Sequence, residues 1–245
     1  MLVSSMSNIL VFDASSSWCS AALSVNGVLF SAAEMQPRKH AQLMLPMIEG
    51  LCQQAGIKPS ELDGIAFGKG PGSFTGLRIA ISVAQGLSLA TGAKLYGISS
   101  LQALAWQGMK QLGQERIVAI MNAHMGEVFY GAYAQTSEGM TCIIDDALCK
   151  PEDVELTPLL AENQSLAAWV GAGDGFQFEA LLPESTQQLK LIDNEISPLA
   201  ESMMDLALRA WQQDEFTAAE FQQPVYLRDT VAWKKLSEQP SLLKK

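Results

Sequence analysis

The sequence predicts an α/β protein of two lobes, each a mixed sheet flanked by helices. Three observations predict it. The chain opens with three strand patterns in succession, joined by a polar turn and by Asn26-Gly27, a strong hairpin signal. Strand and helix patterns then alternate up to residue 111, which indicates parallel pairing. From Arg116 the opening pattern returns: strand, small polar turn, strand, with Gly139 where Gly27 would be.

Each element follows from its residues. Asn8 to Asp13 is a short apolar run, the pattern of a buried strand. The turn Ala14 to Ser17 leads into strands Cys19 to Val25 and Val28 to Glu34. His40 to Ala55 reads as a helix stopped by Gly56, and Pro46 should either sit in its first turn or bend it. Ile65 to Gly68 is a strand, Gly70 to Gly76 a tight loop, Leu77 to Ala90 a helix and Lys94 to Ile98 a strand. Leu101 to Gln111 is a third helix, capped by Ser99 or Ser100. The second half offers strands Arg116 to Met121 and Gly126 to Ala134 around the turn Asn122 to Met125. It continues with a strand Trp169 to Gly173, a helix Pro198 to Gln213 and an extended Pro224 to Arg228. The expected lobes are 8–105 and 106–215, with a tail 216–245 returning to the first. Nothing in the chain reads as a linker, so the lobes should touch.

Composition narrows the function. The 245 residues are 48% hydrophobic and 17% charged, which suits a well-filled core. Sixteen Lys and Arg face 26 Asp and Glu, a net charge of -10 with no basic cluster. Such a surface grips RNA poorly, because that affinity rests on cations displacing phosphate counterions. Cys19, Cys52, Cys142 and Cys149 form no CxxC pair and read as free thiols of a reducing compartment. No run approaches a membrane span, and Met1 to Ser7 lacks the basic start of a signal peptide. The expectation is a cytoplasmic protein, starting at Met1 or Met6.

The candidate chemistry is sparse. Asp13, Ser15 and Ser16 have the form of a phosphate-facing hairpin turn. They equally fit a strand-end acid with a Ser-rich turn held by local hydrogen bonds. Gly171 and Gly173 mark where an adenine-binding turn would lie. The second lobe offers Asn122 where an acid is needed, and one acid alone is a poor Mg²⁺ site for phosphoryl transfer. The loop Gly70, Pro71, Gly72, Ser73 matches neither a Walker A nor a dinucleotide-binding pattern. Its glycines permit a tight turn, Pro71 stiffens it, and Ser73 or Thr75 caps the next helix. The alternative is that its N–H groups face an anion or a partner. His40 and His124 read as ordinary surface or loop histidines, and no HExxH or GxSxG motif supports a peptidase.

Two helices carry too much apolar surface. In the first, apolar residues including Leu43, Met44, Met47, Ile48 and Leu51 span about 200° at 3.6 residues per turn. In the second, Gly76, Ala80, Ala84 and Ser88 form a small-residue row, flanked by Val83 and Leu87. Either this chain covers these faces itself, or they form a partner interface.

Three separated segments carry a family resemblance. Lys69-Gly-Pro-Gly-Ser-Phe-Thr-Gly-Leu-Arg-Ile79 closely resembles the signature of the TsaB family. Met125-Gly-Glu-Val-Phe129 and Pro224-Val-Tyr-Leu-Arg228 are further family-like stretches in the expected order, and the resemblance runs from about Asn8 to Lys235. It implies an actin-like ATPase fold (ASKHA, ribonuclease H-like). It also implies a non-catalytic scaffold or activator in forming N6-threonylcarbamoyladenosine in tRNAs reading ANN codons. The implied partners are the catalytic sister TsaD and the ATPase TsaE, with a homodimer when the chain is alone. ATP and Mg²⁺ would be used through partners, none bound by the isolated chain, and tRNA would be touched only indirectly. The sister's metal-binding HxxxH pair falls on Ser100 and Leu104 here. The family usually has Asp at Asn122, a departure that weakens any metal-linked role. The rival reading is an actin-like small-molecule kinase or ATPase.

Overall fold

The structure, a computed structural model, describes residues 7–228 except 138 and 164, and only the backbone of 161–163. Both possible start residues and the tail beyond 228 lie outside the described residues. Five strands build the first sheet: β1 (Ile9–Asp13), β2 (Trp18–Val25), β3 (Val28–Met35), β4 (Gly64–Gly70) and β5 (Lys94–Ser99). Their order is β3-β2-β1-β4-β5. The β1–β2 and β2–β3 pairs are antiparallel, while β4 joins β1 and β5 in parallel. Asn26 and Gly27 turn the β2–β3 hairpin, both at positive φ.

The second sheet repeats this plan. It comprises β6 (Arg116–His124), β7 (Glu127–Thr136), β8 (Gly139–Cys149), β9 (Val170–Ala172) and β10 (Leu191–Asp193), in the order β10-β9-β6-β7-β8. Three antiparallel strands again come first and two parallel strands extend the other edge. The weak sequence echo between the halves is therefore a full repeat of topology.

Four helices complete the fold: α1 (His40–Ala55), α2 (Phe74–Thr91), α3 (Ser100–Leu112) and α4 (Ala200–Gln212). Alternate strand residues point to opposite faces. Leu10, Phe12, Ala21 and Leu23 pack with Met44, Ile48 and Leu51 of α1 and Ala80 and Ala84 of α2. Ile9, Val11 and Ala22 instead join a central core with α3, α4 and the facing side of the second sheet, including Ile117, Ala119 and Tyr133. The far side of the second sheet is closed by short 3-10 turns between residues 151 and 188, packed around Trp169. The second lobe thus has no counterpart of α1 and α2 among the described residues.

Helices α3 and α4 are shared. The boundary expected between residues 105 and 106 falls inside α3, which packs on β6 and β7. Helix α4 comes late in the chain yet lies on β1 and β2, with Ala200 N donating to Ser20 Oγ at 3.0 Å. Asp205 of α4 accepts from Trp106 Nε1 at 3.1 Å and Lys110 Nζ at 2.7 Å of α3. Asp146 on β8 accepts from Ser99 Oγ at the end of β5, 2.5 Å, and from the Tyr133 hydroxyl. After α4 the chain returns to the first sheet. Thr217 exchanges backbone hydrogen bonds with Leu95, and Val225 N donates to Lys69 O at 2.7 Å.

Pro46 neither starts nor ends α1. It is exposed in the interior of a helix assigned without a break over 16 residues.

Candidate functional site

Local backbone chemistry sets the glycine loop. Gly70 lies at φ 104, a conformation side chains rarely adopt, and a Cβ there would stand 2.8 Å from Val225 O. The tail thus crosses the loop at backbone distance. Ser73 N donates to Ser15 O at 2.8 Å, fastening the loop to the β1–β2 turn. Ser73 Oγ caps α2 by accepting from Gly76 N at 3.3 Å.

The loop and turn form one wall of a cleft of about 500 Å³ between the lobes. Ser15, Ser16, Ser17, Arg38, His40, Gly72, Ser73, Thr75 and Gly76 face it from the first lobe. Asn122, His124, Phe129 and Asp174 are among those facing it from the second. Of the expected cleft residues, Ser15 and Ser16 are there. Asp13 lies beneath, fully buried, with Oδ2 accepting from Ser15 N at 3.0 Å and Ser15 Oγ at 2.9 Å. Its Oδ1 has no partner and sits directly over Gly68, 1.8 Å from where a Cβ would be. Burial pushes this carboxyl up to about 6, against the Ser15 hydrogen bonds that pull it down.

Gly171 and Gly173, expected at an adenine-binding turn, are not among the residues that line this cleft. The Phe176 ring occupies the space beside Gly171, 2.5 Å from a Cβ position, and Leu104 and the Ile120 carbonyl crowd Gly173. A side chain at either position would collide with these groups. A second correction concerns the missing acid. Asn122 is not one, but Asp174 reaches the same place, its Oδ1 accepting from Asn122 N at 2.8 Å. Desolvation raises the Asp174 carboxyl, offset by that hydrogen bond and by the nearby His124. Asp174 follows the carboxyl end of a parallel strand, where open α/β sheets place ligands, and that position was the available signal. His40 and His124, read as ordinary, both line the cleft. Ser100 and Leu104 are fully buried in α3. Among the described residues no group of three or more His, Cys, Asp and Glu could hold a metal ion.

The outer face of α1 and α2 also departs from expectation. Met44, Ile48, Leu51, Gly76, Ala80 and Ala84 are buried within the first lobe itself. The small-residue row has an internal reason: a Cβ on Gly76 would lie 1.8 Å from Ala14 O, so α2 rests directly on the β1–β2 turn. Leu43, Met47, Val83 and Leu87 are half-buried. What the face does expose is Leu45 at 51%, Phe74 at 50% and Leu89 at 90%. Ala41, Phe74, Thr75, Arg78, Ile79, Ser82 and Val83 line a shallow groove there. Arg78 stacks over the Phe74 ring at 3.9 Å, and Tyr226 of the tail packs on the same ring.

Two lobes of one strand order, joined across a cleft, define the actin-like ASKHA class. Comparison with known proteins agrees. The family model of TsaD, tRNA N6-adenosine threonylcarbamoyltransferase, matches residues 28–236. The Escherichia coli K12 tRNA threonylcarbamoyladenosine biosynthesis protein TsaB is 36% identical over 93% of this chain and 97% of its own. The Haemophilus influenzae protein of the same name is 32% identical over 93% and 96%. YeaZ from Pseudomonas aeruginosa superimposes with a TM-score of 0.83 at 38% identity, covering 91% of this chain and all 100% of that one. A further Pseudomonas aeruginosa chain, described as similar to peptidase YeaZ, gives 0.84 at 39% identity with the same coverage. The chain belongs to the TsaB family. Among the described residues, no helix is long and apolar enough to cross a membrane.

Proposed function

We propose that this chain is a non-catalytic partner subunit in forming N6-threonylcarbamoyladenosine in tRNA, and that it holds a TsaD-like catalyst on the outer face of α1 and α2. The observation that carries this reading is the exposed Phe74 in a shallow groove that residues of α1 and α2 line, on two helices whose inner faces are already satisfied and which also expose Leu45 and Leu89. Large apolar side chains clustered on a surface mark interaction sites. The half-buried Val83 lines the same groove. A specific contact there buries on the order of 1,200–2,000 Å² in total. The relatives' description as threonylcarbamoyladenosine biosynthesis proteins supplies the pathway. With a charge of -10 the chain leaves the grip on tRNA to its partners, and a TsaE-like ATPase supplies nucleotide chemistry. Alone in the cytoplasm, a second copy covers the face.

The test is a tRNA modification assay with the TsaD and TsaE homologues of the same organism, with and without this chain, paired with co-purification. Modification that runs at full rate without the chain would sink the proposal. One observation favours the rival reading of a small kinase or ATPase: Asp174 places an acid opposite the serine turn. Steady ATP turnover by the purified chain would establish that rival.

A further inference from the structure

We infer that a pocket of about 340 Å³ between α4 and the β7–β8 hairpin binds a free α-amino acid, held by its carboxylate and its ammonium at once. This pocket shares no lining residue with the cleft between the lobes or with the groove on α1 and α2. The docking proposal above neither requires nor implies it. Its walls come from both lobes. Tyr96 of β5 belongs to the first, Gly139 and Thr141 of β8 to the second, and Gln102 and Arg209 to the shared helices α3 and α4. Volumes of this order are those of small-molecule sites.

Two opposite charges, Arg209 and Glu215, line this one pocket, and neighbouring groups hold each in place. The Arg209 guanidinium lies over the Trp106 ring, 5.1 Å from its centroid. Gly139 leaves it room: its φ is 139, and a Cβ there would stand 3.0 Å from Arg209 Nη1. Glu215 is fixed through its backbone, whose N–H donates to Ala210 O at 3.0 Å where the chain turns after α4. Its carboxylate lies beside the Tyr96 hydroxyl. Burial first, then that carboxylate, push the phenol up to about 12, so it keeps its proton as a donor. The Tyr96 ring is itself stacked on Phe216, with centroids 5.3 Å apart.

The two charges do not pair. Among the described residues the ion pairs are Lys94–Asp214, Lys110–Asp205 and Arg228–Glu127, and neither Arg209 nor Glu215 is in one. A guanidinium and a carboxylate that share a pocket without meeting leave space for a ligand bearing the complementary two. The amino-acid carboxylate accepts from the Arg209 fork, and its ammonium donates to Glu215. An anion alone faces Glu215 and a cation alone faces Arg209, so one wall disfavours either single charge. Leu206 and Ala210 supply apolar surface, and Gln102 and Thr141 polar groups, for a short side chain.

The experiment uses the full chain alone. Calorimetry and thermal melts are run with glycine, L-threonine and L-glutamine, against their N-acetyl forms, propionate and propylamine. At least one free amino acid should bind saturably, and its N-acetyl form roughly tenfold more weakly or worse. Arg209→Gln should weaken binding of the free amino acid by roughly tenfold or more. Glu215→Gln should weaken it too and shrink the gap between the free and N-acetyl forms, a change in preference that general loosening of the fold would not produce. Both positions are exposed, so both variants should melt close to the native chain. Absence of saturable binding by all three amino acids would overturn the inference, as would unchanged affinity in both variants. Propionate or propylamine binding as tightly as the amino acid would overturn the ligand class.

Discussion

Arg228, in the last described stretch of the tail, is ion-paired with Glu127 at the start of β7, on the other lobe. The same guanidinium donates to Ala123 O at 3.1 Å, the carbonyl just before the β6–β7 turn. Three residues earlier the tail is bonded to Lys69, near the end of β4. One extended segment therefore ties the floor of the first lobe to the hairpin of the second.

Arg228→Ala should cost roughly 2 kcal/mol, the scale of charge-assisted hydrogen bonds in a partly buried pair. Arg228→Lys should recover only part of it, because a single ammonium cannot serve a carboxylate and a carbonyl with Arg geometry. Urea melts of the two variants and of Glu127→Gln, combined as a double-mutant cycle, check the coupling. A loss below about 0.5 kcal/mol in the alanine variant would show the tail to be idle.

Asp13 gives a pH dependence. Its folded carboxyl is raised to about 6 from the usual 3.8, so the folded state holds the proton more tightly than the unfolded chain. Stability is then greatest below pH 3.8 as far as this group is concerned, declines as pH rises towards 6, and stays reduced above. Two pK units correspond to about 3 kcal/mol at most. Asp13→Asn keeps an acceptor for Ser15 and removes the buried charge. It should melt higher than the native chain at pH 7.5 and show a flatter profile between pH 4 and 7. A variant that melts lower at pH 7.5 would contradict this.

The inner face of α2 should be intolerant. Ala84→Arg buries an unpaired charge in the first core and should leave the chain unfolded by circular dichroism. Gly76→Ala forces α2 off the Ala14 carbonyl and should cost about 1–3 kcal/mol or more. A folded Ala84→Arg would mean that α2 can rotate outward.

The outer face should behave the other way. Leu45→Glu and Leu89→Glu change exposed positions, so the melt of the isolated chain should shift by no more than about 0.5 kcal/mol. Under the docking proposal the pair should lose co-purification with the TsaD homologue. Retained binding in the double variant would move the interface elsewhere.

What the sequence disclosed and what it hid have physical reasons. Strands buried on both faces, such as Ile9 to Phe12, and helices bounded by glycines, such as His40 to Ala55, carry their own signals. The β8 strand did not, because it is an edge strand with Asp145 and Asp146 where apolar residues would be expected. Asp146 is there to accept from Ser99 and Tyr133, a tertiary reason no local pattern shows. Periodicity exposed the excess apolar surface of α1 and α2 but not which half faced inward. The small-residue row suits a close neighbour, and that neighbour is the chain's own β1–β2 turn. Asp174 lies 52 residues from the Asn122 amide it meets, and only the fold brings them together.

The exchange of α3 and α4 between the sheets bears on how the chain is made. The first sheet has α1 and α2 on one face early, but on its other face α3 packs near β4 and β5 while β1 and β2 wait for α4, which ends at Gln212. Helix α3 emerges early and its own sheet comes later. A nascent first half therefore carries a partly uncovered apolar sheet, over β1 and β2, until α4 has emerged. Fragments cut near Gly113 should each be insoluble alone and should complement one another when expressed together.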